Sequence, residues 1–284
     1  MKLTDNIHLL RIDFEIAISP DKKLPRFVNV ILIIGEKITL IDTGVKGSEQ
    51  LIFDYIKSIN RNPAEIETII LSHSHPDHIG SAAKIKEITG CKVIAHVFES
   101  AWIENIDIQF KKRPVPGFYN LVDQSVVIDK LIFYNQDLTI DKNIHVNIIH
   151  APGHSKGSIN LLFVEDKLFF TADSIPLKND IPNYDNFPDL MWTLNSIKYQ
   201  NDYNVMLSSW TPPISEKTEI ERLIHEGEEY MKMLNHVVQL CYKDKEEIPL
   251  SFCKSALNQL GLPPFLAVPV VDNAFRSHLI ENNY

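Results

Sequence analysis

Apolar positions come in short β-rich runs along roughly the first two thirds of the chain, and at helical spacing along the rest. Ile7–Ile18, Phe27–Ile34 and Lys37–Ile41 read as strands, with the Gly35-Glu36 step marking a hairpin between the last two. Glu49–Ile59 (EQLIFDYIKSI) predicts a helix, and Glu67–Leu71 (ETIIL) a short buried strand. Ser81–Thr89 predicts a helix stopped by Gly90, and Lys92–His96 returns to strand. Strand-like runs recur between Val126 and Phe170, among them Val146–Ile149, Ile159–Val164 and Lys167–Phe170. A helix over Asp189–Tyr199 and a strand over Val205–Leu207 follow. Beyond Pro213 the pattern is helical: Glu216–Tyr242, then Leu250–Leu260 and Phe265–Ile280, separated by Gly261 and Pro263-Pro264. The expectation is a mixed β/α domain over residues 1–214 and a helical C-terminal extension over residues 215–284. No internal repeat or low-complexity segment interrupts it.

The length of 284 residues supports a sizeable core, since chains near this size hide roughly three quarters of the surface they expose unfolded. The charge balance narrows the partners: 28 basic against 37 acidic residues leave −9, with a pI of about 5.6. Nucleic-acid binding rests on clustered Lys and Arg, so none is expected; a small-molecule substrate is. The stretch MKLTDNIHLLRIDF lacks the apolar core of a signal peptide. No run approaches the roughly 20 apolar residues of a membrane span; the best, Val28–Ile34 (VNVILII), is strand-sized. No membrane association is therefore expected. Cys91, Cys241 and Cys253 are scattered, without a CxxC pair, and read as buried free thiols of a reducing compartment, the cytoplasm.

Leu71–Gly80 reads LSHSHPDHIG and holds three of the eleven histidines. The strand ends just before it, so His73 and His75 sit two apart on extended chain and can point the same way. Pro76 forces His75 to stay extended and is suited to begin a helix. Asp77 and His78 then fall in the first turn of the Ser81–Thr89 helix and project differently. Two imidazoles aim at one point, an aspartate and an imidazole at a neighbouring one. Neutral imidazole and carboxylate together are what Zn²⁺ and similar metals prefer.

Here the sequence resembles the metallo-β-lactamase-fold hydrolase superfamily, whose HxHxDH signature stands at His73–His78. Leu40–Gly44 (LIDTG), Ala151–Ser158 (APGHSKGS) and Thr171–Asp173 (TAD) match further motifs of that family, in order. The resemblance implies an αββα sandwich, an α+β fold of two β-sheets with helices outside and a metal site at one sheet edge. It implies a first metal site from His73, His75 and His154, and a second begun by Asp77 and His78, with Asp173 bridging the two. Asp42 would bond the far nitrogen of a ligand imidazole. His150 is read as a hydrogen-bonded buried histidine; His8, His96, His145, His225, His236 and His278 are read as structural or surface. One motif departs. Where the family supplies a last histidine in a Gly-His turn, this chain has Ser209-Trp210, and indole offers no lone pair to a metal. One tight and one weaker Zn²⁺ site are expected, with iron or manganese as alternatives.

The resemblance and the ligand set together imply a metal-dependent hydrolase of a small carbonyl compound (ester, thioester, lactone or amide). A metal-bound hydroxide attacks, and Asp77 orients it and serves the leaving group as acid. The alternative is a metal-holding regulatory module of the same fold; a nuclease is disfavoured by the charge. Phe98–Val122, aromatic and carrying Lys111-Lys112-Arg113, either lines the pocket or is a packed insertion with a solvated basic tip. Lys178, Tyr184 and Asp185 lie after the bridging aspartate and are candidates to touch substrate. The C-terminal helices either form a homodimer or cover the pocket.

Overall fold

Period-two alternation of large aliphatic residues gives the strands two apolar faces, and the fold buries both. In a computed structural model, which describes residues 1–19, 22–242 and 251–279, eleven strands form two sheets. The first runs in sequence order: β1 (Ile7–Ser19), β2 (Lys22–Ile34), β3 (Ile38–Ile41), β4 (Ile66–Ile70), β5 (Lys92–His96) and β6 (Lys130–Ile132). Its first three strands pair antiparallel and the rest parallel. The second holds β7 (Gln136–Asp141), β8 (Ile144–His150), β9 (Ile159–Phe163), β10 (Leu168–Phe170) and β11 (Val205–Leu207). Only β10 and β11 are parallel in it.

The sheets face each other across one apolar layer. Ile31 and Ile33 of β2, Ile41 and Ile70 meet Val146, Ile148, Leu161, Phe163 and Phe170 from the other side. Neighbouring residues point the opposite way. Val28, Val30, Leu32, Leu40 and Ile69 pack under α1 (Ser48–Ser58), α2 (Pro76–Ile79) and α3 (Ala82–Thr89). The short helices α4 (Ser100–Ile103), α5 (Ile106–Lys112) and α6 (Phe118–Leu121) join that layer through Ile103, Ile106, Phe118 and Leu121. On the far side Leu162, Phe169 and Met206 pack under α7 (Phe187–Tyr199), α8 (Lys217–Tyr242), α9 (Phe252–Gln259) and α10 (Pro269–Ser277). The order is helices, sheet, sheet, helices, as the αββα expectation has it.

Several boundaries differ from the sequence reading. β2 begins at Lys22 rather than Phe27 and accommodates Pro25, because β3 pairs only with Ile31–Ile34 and leaves that stretch a free edge. Asp77 and His78 lie on a separate one-turn helix, α2, not in the first turn of α3. The last helix starts at Pro269, not Phe265: Val268 ahead of it is held extended at φ −103° and ψ 159°, and Pro264–Leu266 forms a single 3₁₀ turn. Leu250 and Ile280, expected as helix ends, lie outside the described residues. No helix among the described residues is long and apolar enough to cross a membrane.

Candidate metal centre

The loops that leave the ends of β3, β4, β8, β10 and β11 meet at one edge of the sandwich. Backbone hydrogen bonds hold them in register: Asp42 N–H to Ile70 O, Thr43 N–H to His78 O, Ile159 N–H to Ser72 O and Ser209 N–H to Ala172 O, each 2.8–3.0 Å. Two non-glycine residues there adopt left-handed backbone, Asp42 at φ 61° and Ala172 at φ 45°. Such conformations persist where the surroundings over-determine them. Gly153, at φ 122°, is needed for space as well, since a Cβ would lie 2.2 Å from Leu190 N.

Three imidazole nitrogens converge. His73 Nε2 is 3.0 Å from His75 Nδ1, which is 2.8 Å from His154 Nε2. Beside them lies a second group, His73, His78 and Asp173; within each group the ligand atoms lie within 4.8 Å of one another. The Asp173 carboxylate faces both, with Oδ2 3.2 Å from His154 Nε2 and Oδ1 3.4 Å from His78 Nε2. Asp77 stands at the margin, Oδ2 3.8 Å from His78 Nε2 and 13% of its side chain exposed. All these imidazoles are buried.

Asp42 governs the tautomers. Its carboxylate accepts the Ser72 N–H at 2.7 Å and the Ser72 hydroxyl at 2.6 Å, and meets His78 Nδ1 at 2.8 Å. The hydroxyl proton is thus committed to Asp42, so Ser72 Oγ accepts from His73 Nδ1 at 3.0 Å. Both imidazoles then turn Nε2 inward. Burial holds His73 and His75 well below the usual imidazole pKa, keeping them neutral with lone pairs free. Burial opposes charge on His78 too, but Asp173, Asp42 and Asp77 outweigh it and raise its pKa well above the ordinary value. Burial likewise works against ionised Asp173, and His78 and His154 overcome it, holding Asp173 well below the usual carboxylate range. Asp77 is raised, chiefly by burial. The second group therefore calls for positive charge between its members. His78 Nε2 and Asp173 Oδ1 are buried without a hydrogen-bond partner, and the donor set of nitrogen and carboxylate oxygen suits a divalent metal.

The metallo-beta-lactamase superfamily matches residues 24–218. The chain belongs to that superfamily. Among relatives, a hydroxyacylglutathione hydrolase of Rhizobium johnstonii is 29% identical over 120 residues, 42% of this chain and 38% of that protein. A beta-lactamase-like protein 2 homolog of Drosophila melanogaster is 28% identical over 138 residues, 48% of this chain and 42% of that protein. The chain thus spans about two fifths of the length of the curated relatives it matches. A metallo-beta-lactamase family protein of Thermus thermophilus shares the fold at a TM-score of 0.74 and 15% identity, over 98% of this chain and 93% of its own. A beta-lactamase domain protein of Burkholderia ambifaria does so at 0.72 and 14%, over 98% and 86%. Those two likenesses reach into the C-terminal helices of this superfamily member.

Sequence reasoning missed the residues that tie the loops of this metallo-beta-lactamase-fold chain together. Glu99, 2% exposed, accepts the Ser74 N–H at 2.9 Å, the Ser155 hydroxyl at 2.7 Å and the Gly157 N–H. It thereby joins the HxHxDH loop to the His154 loop. Gln109 Nε2 donates to Ser74 O at 2.7 Å. Arg113 is not part of a solvated tip: it is buried, bonds Asn183 and pairs with Asp185 at 3.5 Å. Its neighbours Lys111 and Lys112 are exposed, and Phe98–Val122 is a packed insertion that sends Val115 and Pro116 to the cavity beside the metal residues. Of the three candidates after Asp173, Lys178 is exposed, Asp185 turns to Arg113 and the Tyr184 hydroxyl lies 2.6 Å from His278 Nε2. His150 bonds Lys156 O at 3.0 Å and stacks on His96, but it is half-buried rather than buried. Trp210 lines the same cavity as His154 and Asp173.

Proposed function

We propose that the chain is a metal-dependent hydrolase of small carbonyl compounds, thioesters, esters, lactones or amides, with residues 1–214 as its catalytic unit. The observation that carries this reading is the convergence of His73, His75, His154, His78 and Asp173, of which His154 and Asp173 line an apolar cavity, with Asp77 at the margin. His73, His75 and His154 would hold a first ion, and His78, Asp173 and Asp77 a second and weaker one, zinc being the ion the donor set suits best. When bound, the metal supplies Lewis acidity toward a carbonyl oxygen and lowers the pKa of water.

The chain's own residues do the rest. Asp42 and Ser72 fix the inward Nε2 atoms of His78 and His73. Asp77 Oδ2 holds the proton taken from the attacking water and passes it to the leaving group. Trp210 closes one wall and excludes water. The names of the relatives support a thioester or lactam among the substrates.

The test is a panel of neutral esters, thioesters, lactones and amides against the zinc-loaded protein and its His73→Ala and Asp77→Asn variants. Turnover in the native protein, absent in His73→Ala together with metal binding, is the expected result. Asp77→Asn should keep the first ion and lose about 10²–10⁴-fold in kcat. Metal uptake without turnover on any member would instead favour a metal-holding module, the reading that the Ser209-Trp210 pair supports.

A further inference from the structure

The cavity that His154 and Asp173 line has a volume of about 200 Å³, and the rest of its lining is selective. Leu24 comes from the β1–β2 ribbon, Ile175 from the loop after Asp173, and Leu266 and Val268 from the segment that leads into α10. Away from His154 and Asp173, the charged and hydroxyl-bearing side chains in the same wall are already partnered. Arg26 meets Asp180 at 2.6 Å, so neither charge is left over. The Tyr230 hydroxyl donates to Asp180 O at 2.6 Å, and Tyr184 is bound to His278. Asn183 accepts from Arg113. No lysine among the described residues lines this space. Away from the metal residues, a carboxylate or phosphate entering it would leave bulk water and find no free side-chain cation, a costly transfer.

We propose that this cavity takes an uncharged, apolar acyl group, and that the C-terminal segment Pro264–Val270 is the wall that selects its length. The proposal rests on the hydrolase reading and narrows it. It separates this chain from an enzyme built around a charged thiol carrier such as glutathione, whose carboxylates the cavity cannot pair. It also gives the C-terminal helices a role, because α8 and α9 fasten α10 to the outer face of the second sheet, and α10 presents its lead-in to the substrate.

Burying one more methylene is worth about fourfold in affinity or kcat/KM. The zinc-loaded full chain is assayed with acetyl, butyryl and hexanoyl thioesters of neutral N-acetylcysteamine, and with the same acyl groups on glutathione. kcat/KM should rise on the order of a hundredfold from acetyl to hexanoyl, and the neutral carrier should be no worse than glutathione. Leu266→Trp, which fills the cavity from the C-terminal side, should flatten that rise to within a few fold. Leu24→Ser, on the opposite wall, should lower its slope. A flat series in the native protein, or a glutathione preference above about tenfold, overturns the proposal. A second readout needs no turnover. Binding of ethanol, butanol, hexanol and octanol, followed by tryptophan fluorescence, should tighten about fourfold per methylene in the native protein and not in Leu266→Trp. If no thioester is hydrolysed, the wider panel of esters, lactones and amides decides the hydrolase reading, and the alkanol series alone decides this one: tightening with length sustains it, and a flat series overturns it.

Discussion

Asp42 is one carboxylate with three donors around it, and its charge decides which imidazole nitrogen faces the candidate metal site. Asp42→Asn is the clean test of that role, because asparagine tolerates the left-handed backbone at φ 61° that alanine would strain. An amide NH₂ facing His78 Nδ1 would reverse the tautomer and put the proton on Nε2, the inward nitrogen. Metal affinity should therefore fall about 10–100-fold, read by competition with a chelator, while the apo protein's Tm moves little. If affinity is unchanged, Asp42 does not set the tautomer. His278 makes a prediction of a different kind. Its imidazole is buried between the Tyr184 hydroxyl, Asn235 Oδ1 and the Phe187 ring. Burial lowers its pKa to about 3 from 6.5. Between those values the unfolded chain binds the proton and the folded one does not, so His278 costs stability as the pH falls from about 6.5 toward 3. The native Tm should drop more steeply over that window than that of His278→Gln, which is less stable near neutrality but insensitive at this position. Equal slopes would show that His278 does not contribute to the acid sensitivity.

At the scale of elements, the strands were legible because alternation is local: Val28, Val30 and Leu32 against Ile31 and Ile33 is visible in a single stretch. The candidate cluster was legible for the same reason, since His73, His75, Asp77 and His78 share one loop, and the resemblance pointed to His154 and Asp173, which the fold brings beside them. What escaped depends on partners far away in sequence. Nothing local distinguishes Glu99, bonded to Ser74, Ser155 and Gly157, from an exposed glutamate, or Arg113 from the two exposed lysines before it. The start of α10 was misplaced because the apolar run Phe265–Val268 looks helical, while Pro269 is what sets its first turn. The turn between β8 and β9 shows how sharply elements constrain each other. Gly153 touches the first turn of α7 so closely that a Cβ would overlap Leu190 N. Gly153→Ala adds that overlap to an unfavourable φ, and should cost about 2–4 kcal/mol, seen as a Tm lowered by about 5–10 °C. Metal affinity should fall with it, because His154 is the next residue; a variant as stable and as tight as the native protein would mean the turn has slack.

At the scale of the whole molecule, two sheet edges and the C-terminal helices close around one cavity, and Trp210 lines it together with His154 and Asp173 of the candidate metal centre. It lies just past β11, its backbone N–H donates to Ser208 Oγ at 3.2 Å, and the loop is pinned to the rest of the edge by Asn29, whose Nδ2 donates to Ser208 O and Thr211 O at 2.9 Å each. A side chain on so fixed a loop can be exchanged without moving its neighbours far. Trp210→His replaces a half-buried indole, which can only donate, with a ring that can ligate. Metal stoichiometry after dialysis against a moderate chelator should rise from about one ion toward two, if three protein ligands hold the second ion weakly and a fourth completes the set. The cavity should widen at the same time, because imidazole is smaller than indole, and hydrolysis of the longest apolar acyl groups should lose its advantage over the shorter ones. The two readouts separate two roles for the same position, ligand vacancy and wall. A native protein that already keeps two ions as firmly as the variant would remove the first role, and an unchanged chain-length profile would remove the second.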